Sequence, residues 1–136
     1  MNISGPFIVI EDDKEDQEIL QSIFRELHYT NEIQFFSDGL IALDSLLSIE
    51  TEPFIIFSDI NMPKLNGIEL RDLLRQSDNI KIKSVPYLFF TTSADKRHIA
   101  DAYANSIQGF FVKPFDYNEL KETIRRIVEY WQMCVS

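Results

Sequence analysis

The chain has 136 residues, 45% of them hydrophobic, with 22 acidic against 13 basic side chains and a formal charge of −9. That length suits one packed domain, and the apolar content with only four Gly and five Pro excludes a disordered, fibrous or repeat protein. The negative charge repels phosphate backbones and anionic lipid surfaces, so neither nucleic acid nor a membrane is an expected partner.

Along the chain, short apolar runs recur with room for a helix between each pair. Phe7-Ile8-Val9-Ile10 is the first predicted strand, followed by the apolar stripe Ile19, Leu20, Ile23, Phe24 and Leu27 of a first helix. Ile33-Gln34-Phe35-Phe36 is the second strand, and Gln34 marks it as an edge. Leu40, Leu43, Leu46 and Leu47 keep a helical period up to the return at Pro53, before the third strand Phe54-Ile55-Ile56-Phe57. A third helix carries Ile68, Leu70, Leu73 and Leu74, and Tyr87-Leu88-Phe89-Phe90 is the fourth strand. A fourth helix runs near Lys96 to Ala104, then the strand Phe110-Phe111-Val112, then a fifth helix from about Tyr117 to Met133. Five strands alternating with five helices predict a doubly wound α/β fold around a parallel sheet with right-handed crossovers.

Ligands of such sheets bind beyond the carboxyl ends of the strands. There the sequence places Glu11-Asp12-Asp13, Ser58-Asp59, Thr91-Thr92-Ser93 and Lys113-Pro114. Clustered carboxylates need a cation, and oxygen ligands without His or Cys favour Mg²⁺ over zinc. Mg²⁺ held by one or two carboxylates usually completes its shell with water and phosphate, so the cluster predicts a phosphate-handling site. Lysine and threonine suit the phosphoryl oxygens, and an aspartate is a known nucleophile for phosphoryl groups. His28 and His98 lie elsewhere, at no ligand-like spacing.

The elements Val9-Ile10-Glu11-Asp12, Asp59-Ile60-Asn61-Met62-Pro63, Asn66-Gly67, Pro86, Thr91 and Gly109-Phe110-Phe111-Val112-Lys113-Pro114 resemble, in order and spacing, the receiver domain of response regulators, CheY-like single-domain regulators included. The resemblance covers nearly the whole chain. It implies a flavodoxin-like fold with strand order 2-1-3-4-5 and a single receiver domain over 1–136 without an output domain. It also implies two-component signalling, in which a sensor histidine kinase or phosphotransfer protein phosphorylates Asp59 with Mg²⁺. By the same resemblance Asp12, Glu11, Asp59 and the backbone carbonyl of Asn61 hold the metal. Lys113 and Thr91 meet the phosphoryl group, Thr91 and Phe110 form the switch, and the Lys113–Pro114 peptide is cis. Such a protein is a phosphoacceptor rather than an enzyme, although it contributes catalytic groups to its own phosphorylation and dephosphorylation, and Asn61 and Ser93 are expected to flank the hydrolytic water.

Asp13 is expected to serve a helix N-terminus rather than a metal. Thr92 stands where receivers usually carry Ala or Gly and is expected to narrow access to the pocket; the Thr-Thr-Ser run resembles the phytochrome-associated branch. Output is expected through the fourth helix, fifth strand and fifth helix, a face that also offers a place for homodimerisation. Of the aromatic residues there, Tyr103, Phe111, Tyr117 and Trp131, core positions are expected to outnumber contact positions. Arg125 and Arg126 form an adjacent basic pair, expected to be a solvated helix face. Two other classes stay open: a pseudo-receiver that binds without phosphorylation, and a Mg²⁺-dependent aspartyl-phosphate phosphatase. The first usually lacks one of Asp59, Lys113, Glu11 or Asp12, and the second expects an acid where Asn61 stands. One cysteine, Cys134, permits no internal disulfide; no apolar run nears the ~18 residues of a membrane span; and the N-terminus has no basic leader. A cytoplasmic protein is expected.

Overall fold

A computed structural model describes residues 1–92 and 95–134. Five parallel strands, β1 (Phe7–Ile10), β2 (Ile33–Phe36), β3 (Ile55–Ser58), β4 (Tyr87–Thr91) and β5 (Gly109–Val112), form one sheet in the order β2-β1-β3-β4-β5. The helices are α1 (Lys14–Glu26), α2 (Gly39–Leu47), α3 (Gly67–Arg75), α4 (Ile80–Lys83), α5 (Lys96–Ala104) and α6 (Tyr117–Met133). The predicted strand order and alternation are therefore present, with one addition. The single turn α4, which has no apolar period long enough to show in the sequence, is capped by Asn79 and buries only Ile82.

The pleat explains why the strands are apolar throughout. Ile8, Ile10, Ile56, Tyr87 and Phe89 enter a core with Ala42, Leu46, Leu70, Leu74, Ile82 and Ala102 from α2 to α5. Phe7, Val9, Ile55, Phe57, Leu88 and Phe90 point the other way, onto Leu20, Ile23 and Phe24 of α1 and Leu120, Ile124, Ile127 and Val128 of α6. The sheet is thus sandwiched, and β2, half-buried along its length, is an edge as Gln34 suggested.

Polar side chains set the helix starts. Asp13 accepts from the amides of Glu15 (2.8 Å) and Asp16 (3.3 Å) and so caps α1. Asn66 and Glu69 form a reciprocal capping box at α3. Asp38, Asp95 and Asp116 cap α2, α5 and α6.

Three expectations need correction. Leu40 and Leu47 of α2 are exposed; that helix buries the expected Leu46 together with Gly39 and Ala42. Leu73 of α3 is exposed as well, beside buried Leu70 and Leu74. Among the described residues no peptide bond is cis, Lys113–Pro114 included; trans is the intrinsically favoured isomer even before proline. Arg125 and Arg126 do lie on a solvated face, paired with Glu122 and, for Arg125, Glu129. No helix among the described residues is long and apolar enough to cross a membrane.

Candidate phosphate and metal site

The reversal of strand order between β1 and β3 opens a crevice at their carboxyl ends. Ile10 pairs with Ser58 in register, and the Asp59 amide donates to the Ile10 carbonyl at 2.9 Å, so Glu11 and Asp59 leave adjacent strands side by side. Carboxylate oxygens of Glu11, Asp12 and Asp59 lie within 4.8 Å of one another. Asp12 is exposed, Asp59 half-buried and Glu11 buried at 2% exposure. Three oxygen donors with no nitrogen or sulfur among them suit a hard divalent cation.

The loop after β3 is held by backbone contacts. Asp59 Oδ1 accepts from the Ile60 amide (2.8 Å), and the Gly67 amide donates to the Ile60 carbonyl (2.8 Å). A Cβ on Gly67 would lie 2.1 Å from the Asp59 carbonyl oxygen, so only glycine admits this approach. Asn61 is exposed on the same loop, two residues beyond Asp59.

Lys113 follows β5, where its amide donates to the Thr91 carbonyl at 2.7 Å. Its ammonium, 9% exposed, makes an ion pair with Glu11 and a second pair with Asp16 at 3.3 Å. A small hollow of about 10 Å³ is lined by Glu11, Asp59 and Lys113 among others. Burial pushes the Glu11 carboxyl up to about 8, with Lys113 pulling it down and Asp59 adding to the rise. Burial works against the Lys113 ammonium, but Glu11, Asp59 and Asp16 outweigh it and raise its pKa.

Thr91 ends β4 with its Oγ1 buried and without a hydrogen-bond partner among the described residues. An unpaired buried hydroxyl is costly. Phe110 of β5 is half-buried, its ring 6.1 Å from Phe89. Thr92 is exposed at a cavity of about 230 Å³ that it shares with Asp16, Ile19, Lys113, Pro114 and Phe115; the Phe115 side chain is fully exposed. Ser93 lies outside the described residues. Asp13 stands apart from the metal cluster as the α1 cap, in line with expectation. Tyr103 is exposed, whereas Phe111, Tyr117 and Trp131 are partly buried against the core.

The sequence reading missed Asp16. Asp16 lies in the first turn of the predicted first helix, where an acid reads as a response to the helix dipole, and without the fold nothing linked it to Lys113.

The sheet order and the acid–lysine crevice define a receiver-type α/β protein, and the family assignment agrees. The response regulator receiver domain family matches residues 7–125, so the chain belongs to that family, the receivers of two-component signalling. The Probable methanogenesis regulatory protein FilR2 of Methanothrix harundinacea is 30% identical over 96% of this chain and 87% of its own. Chemotaxis protein CheY-3 of Vibrio cholerae is 30% identical over 95% of both chains. The structure of response regulator RPA3017, from red light signaling of R. palustris, superposes with a TM-score of 0.84 at 28% identity, covering 97% of this chain and 96% of that one.

Proposed function

We propose that the protein accepts a phosphoryl group on Asp59 from a histidine kinase or phosphotransfer protein and signals by the conformational change that follows. The observation that carries this is the convergence of Glu11, Asp12 and Asp59 within 4.8 Å, with Lys113 bound at their edge. In this reading a carboxylate oxygen of Asp59 attacks phosphorus as the donor's P–N bond breaks, and the electron pair leaves with the donor histidine. Hydrolysis later adds water, returning the carboxylate and releasing inorganic phosphate. Glu11, Asp12, Asp59 and the Asn61 carbonyl hold Mg²⁺, which when bound neutralises charge on the phosphoryl oxygens. Lys113 meets one of those oxygens as a compact cation, and the buried Thr91 hydroxyl, without a partner among the described residues, gains one in another.

The response is a two-state change in which Thr91 turns to the phosphoryl group and Phe110 follows it inward. Its output surface is α5, β5 and α6, where exposed Tyr103, Val112 and Tyr130 offer contact area to a target protein or a second copy. The kinase side is the rim formed by α1 and the loop after Lys113, whose apolar cavity ends in exposed Phe115. The likeness to RPA3017, together with Thr91-Thr92-Ser93, supports a place near the regulators of red-light receptors.

Incubation with Mg²⁺ and a small acyl phosphate tests the reading by intact mass. Wild type is expected to gain one phosphoryl group and Asp59→Asn none. An unmodified wild type would favour the pseudo-receiver, and sustained turnover of unrelated phosphomonoesters would favour the phosphatase.

A further inference from the structure

Lys113 has two carboxylate partners where phosphoryl transfer calls for one free cation. Its ammonium pairs with Glu11, already in the metal cluster, and also with Asp16 Oδ2 at 3.3 Å. Asp16 lies outside that cluster, on the first turn of α1, and its side chain is 33% exposed. The turn that carries it is pinned to the crevice from both sides. Asp13 accepts from the Asp16 amide (3.3 Å), and the next residue, Gln17, donates from Nε2 to the Glu11 carbonyl at 2.5 Å. Asp16 is thus presented to Lys113 by a capped and tethered helix end rather than by a free surface side chain.

We propose that Asp16 is a positioning residue for Lys113, a competing partner that must release the ammonium before it can serve a phosphoryl group on Asp59. The inference rests on the proposed phosphoacceptor role of Asp59. In the transfer, an Asp59 oxygen bonds to phosphorus while the bond from phosphorus to the donor breaks (P–N in a phosphohistidine, P–O in an acyl phosphate), the electron pair leaves with the donor, and the charge arriving on the phosphoryl oxygens draws Lys113 away from Asp16. Asp16 therefore slows phosphorylation and shortens the hold of Lys113 on the product, setting both rate and lifetime without touching the reacting atoms.

The experiment compares Asp16→Asn, Asp16→Glu and Glu15→Gln with wild type. Glu15 is an exposed neighbour whose loss removes the same charge while its side chain has no part in the crevice. With Mg²⁺ and a small acyl phosphate, Asp16→Asn is expected to phosphorylate about two- to fivefold faster, the range set by a partly exposed ion pair. Asp16→Glu is expected to restore much of the wild-type rate, and Glu15→Gln to leave it unchanged. Equal acceleration by Glu15→Gln would reduce the effect to bulk charge and overturn the proposal, as would an unchanged rate in Asp16→Asn. A second readout needs no phosphorylation: the Lys113 ε-methylene NMR signals of the resting protein should move in Asp16→Asn and stay in Glu15→Gln. Unmoved signals in Asp16→Asn would overturn the tether. A wild type inert to the donor would sink the Asp59 role, and the NMR comparison alone would then decide whether Asp16 holds Lys113.

Discussion

Gly67 carries a constraint on the candidate site that its place in the Asn66-Gly67 pair only hints at. Its backbone φ is not positive, so conformational freedom is not the reason for glycine there. The reason is contact: a Cβ would meet the Asp59 carbonyl at 2.1 Å and the Phe89 ring at 2.9 Å. Gly67→Ala is expected to cost about 1–3 kcal/mol in urea denaturation, by overpacking, and to displace the Asp59 loop. Phosphorylation of that variant by an acyl phosphate should slow at temperatures where it remains folded; full stability and an unchanged rate would show that the loop yields freely. The acids were legible because they stand where apolar runs end, at the edge of a parallel sheet where ligands bind. Asp16 was not, because ion pairing to a residue 97 positions away is a fact of packing.

At the scale of elements, α3, β4 and α5 meet at a buried polar junction. Arg71 of α3 is buried and donates to the carbonyls of Asn105 (3.1 Å) and Ser106 (2.9 Å), which close the end of α5. Its guanidinium lies 4.9 Å from the centre of the Tyr87 ring. The Tyr87 hydroxyl is fully buried and has no partner among the described residues; Ser58 lies close, but its hydroxyl donates to the Asp59 carbonyl at 2.9 Å. Burial pushes the Tyr87 phenol up to about 12, against roughly 10 in an unfolded chain. The folded state therefore holds this proton more tightly, so stability is complete below about pH 10 and falls as pH rises towards 12, by at most about 2–3 kcal/mol. Urea denaturation across that window should show a steeper alkaline loss for wild type than for Tyr87→Phe. Parallel profiles would mean that the phenol ionises as easily inside the fold as outside.

The helix faces show how legibility depends on contrast. In α1 and α6 the apolar stripe is interrupted by charge, and the predicted faces are the buried ones. In α2 the sequence Gly-Leu-Ile-Ala-Leu-Asp-Ser-Leu-Leu is apolar nearly all round, and small Gly39 and Ala42 face inward, Gly39 with the chain at Leu65 lying against it. Periodicity has no contrast to work with in such a helix.

For the whole molecule, one sheet supports two cores, with α2 to α5 on one side and α1 and α6 on the other. Each strand contributes alternate residues to both, so neither layer can loosen without exposing the sheet that the other covers. Leu46→Ala in the first core is expected to cost about 2–5 kcal/mol and Phe24→Ala in the second about 3–5 kcal/mol. Both should lower one shared thermal transition, seen identically by far-UV and near-UV circular dichroism. Separate transitions for the two layers would show that the sheet does not couple them.

By itself the sequence determined the strands, their parallel order through the receiver resemblance, and the acids and lysine that gather at one edge. These depend on local pattern: uninterrupted apolar runs, helical stripes, and charged residues where a strand ends. Only the tertiary structure decided what each charge does to its neighbour, because the fold brings Glu11 after β1, Asp16 in the first turn of α1 and Lys113 after β5 together and so sets which carboxylates Lys113 meets. Packing likewise chose glycine at 67, the inward face of α2 and the burial of the Thr91 hydroxyl. Distances of a few ångströms between residues far apart in the chain have no signature in its order, and they govern the electrostatics of the site.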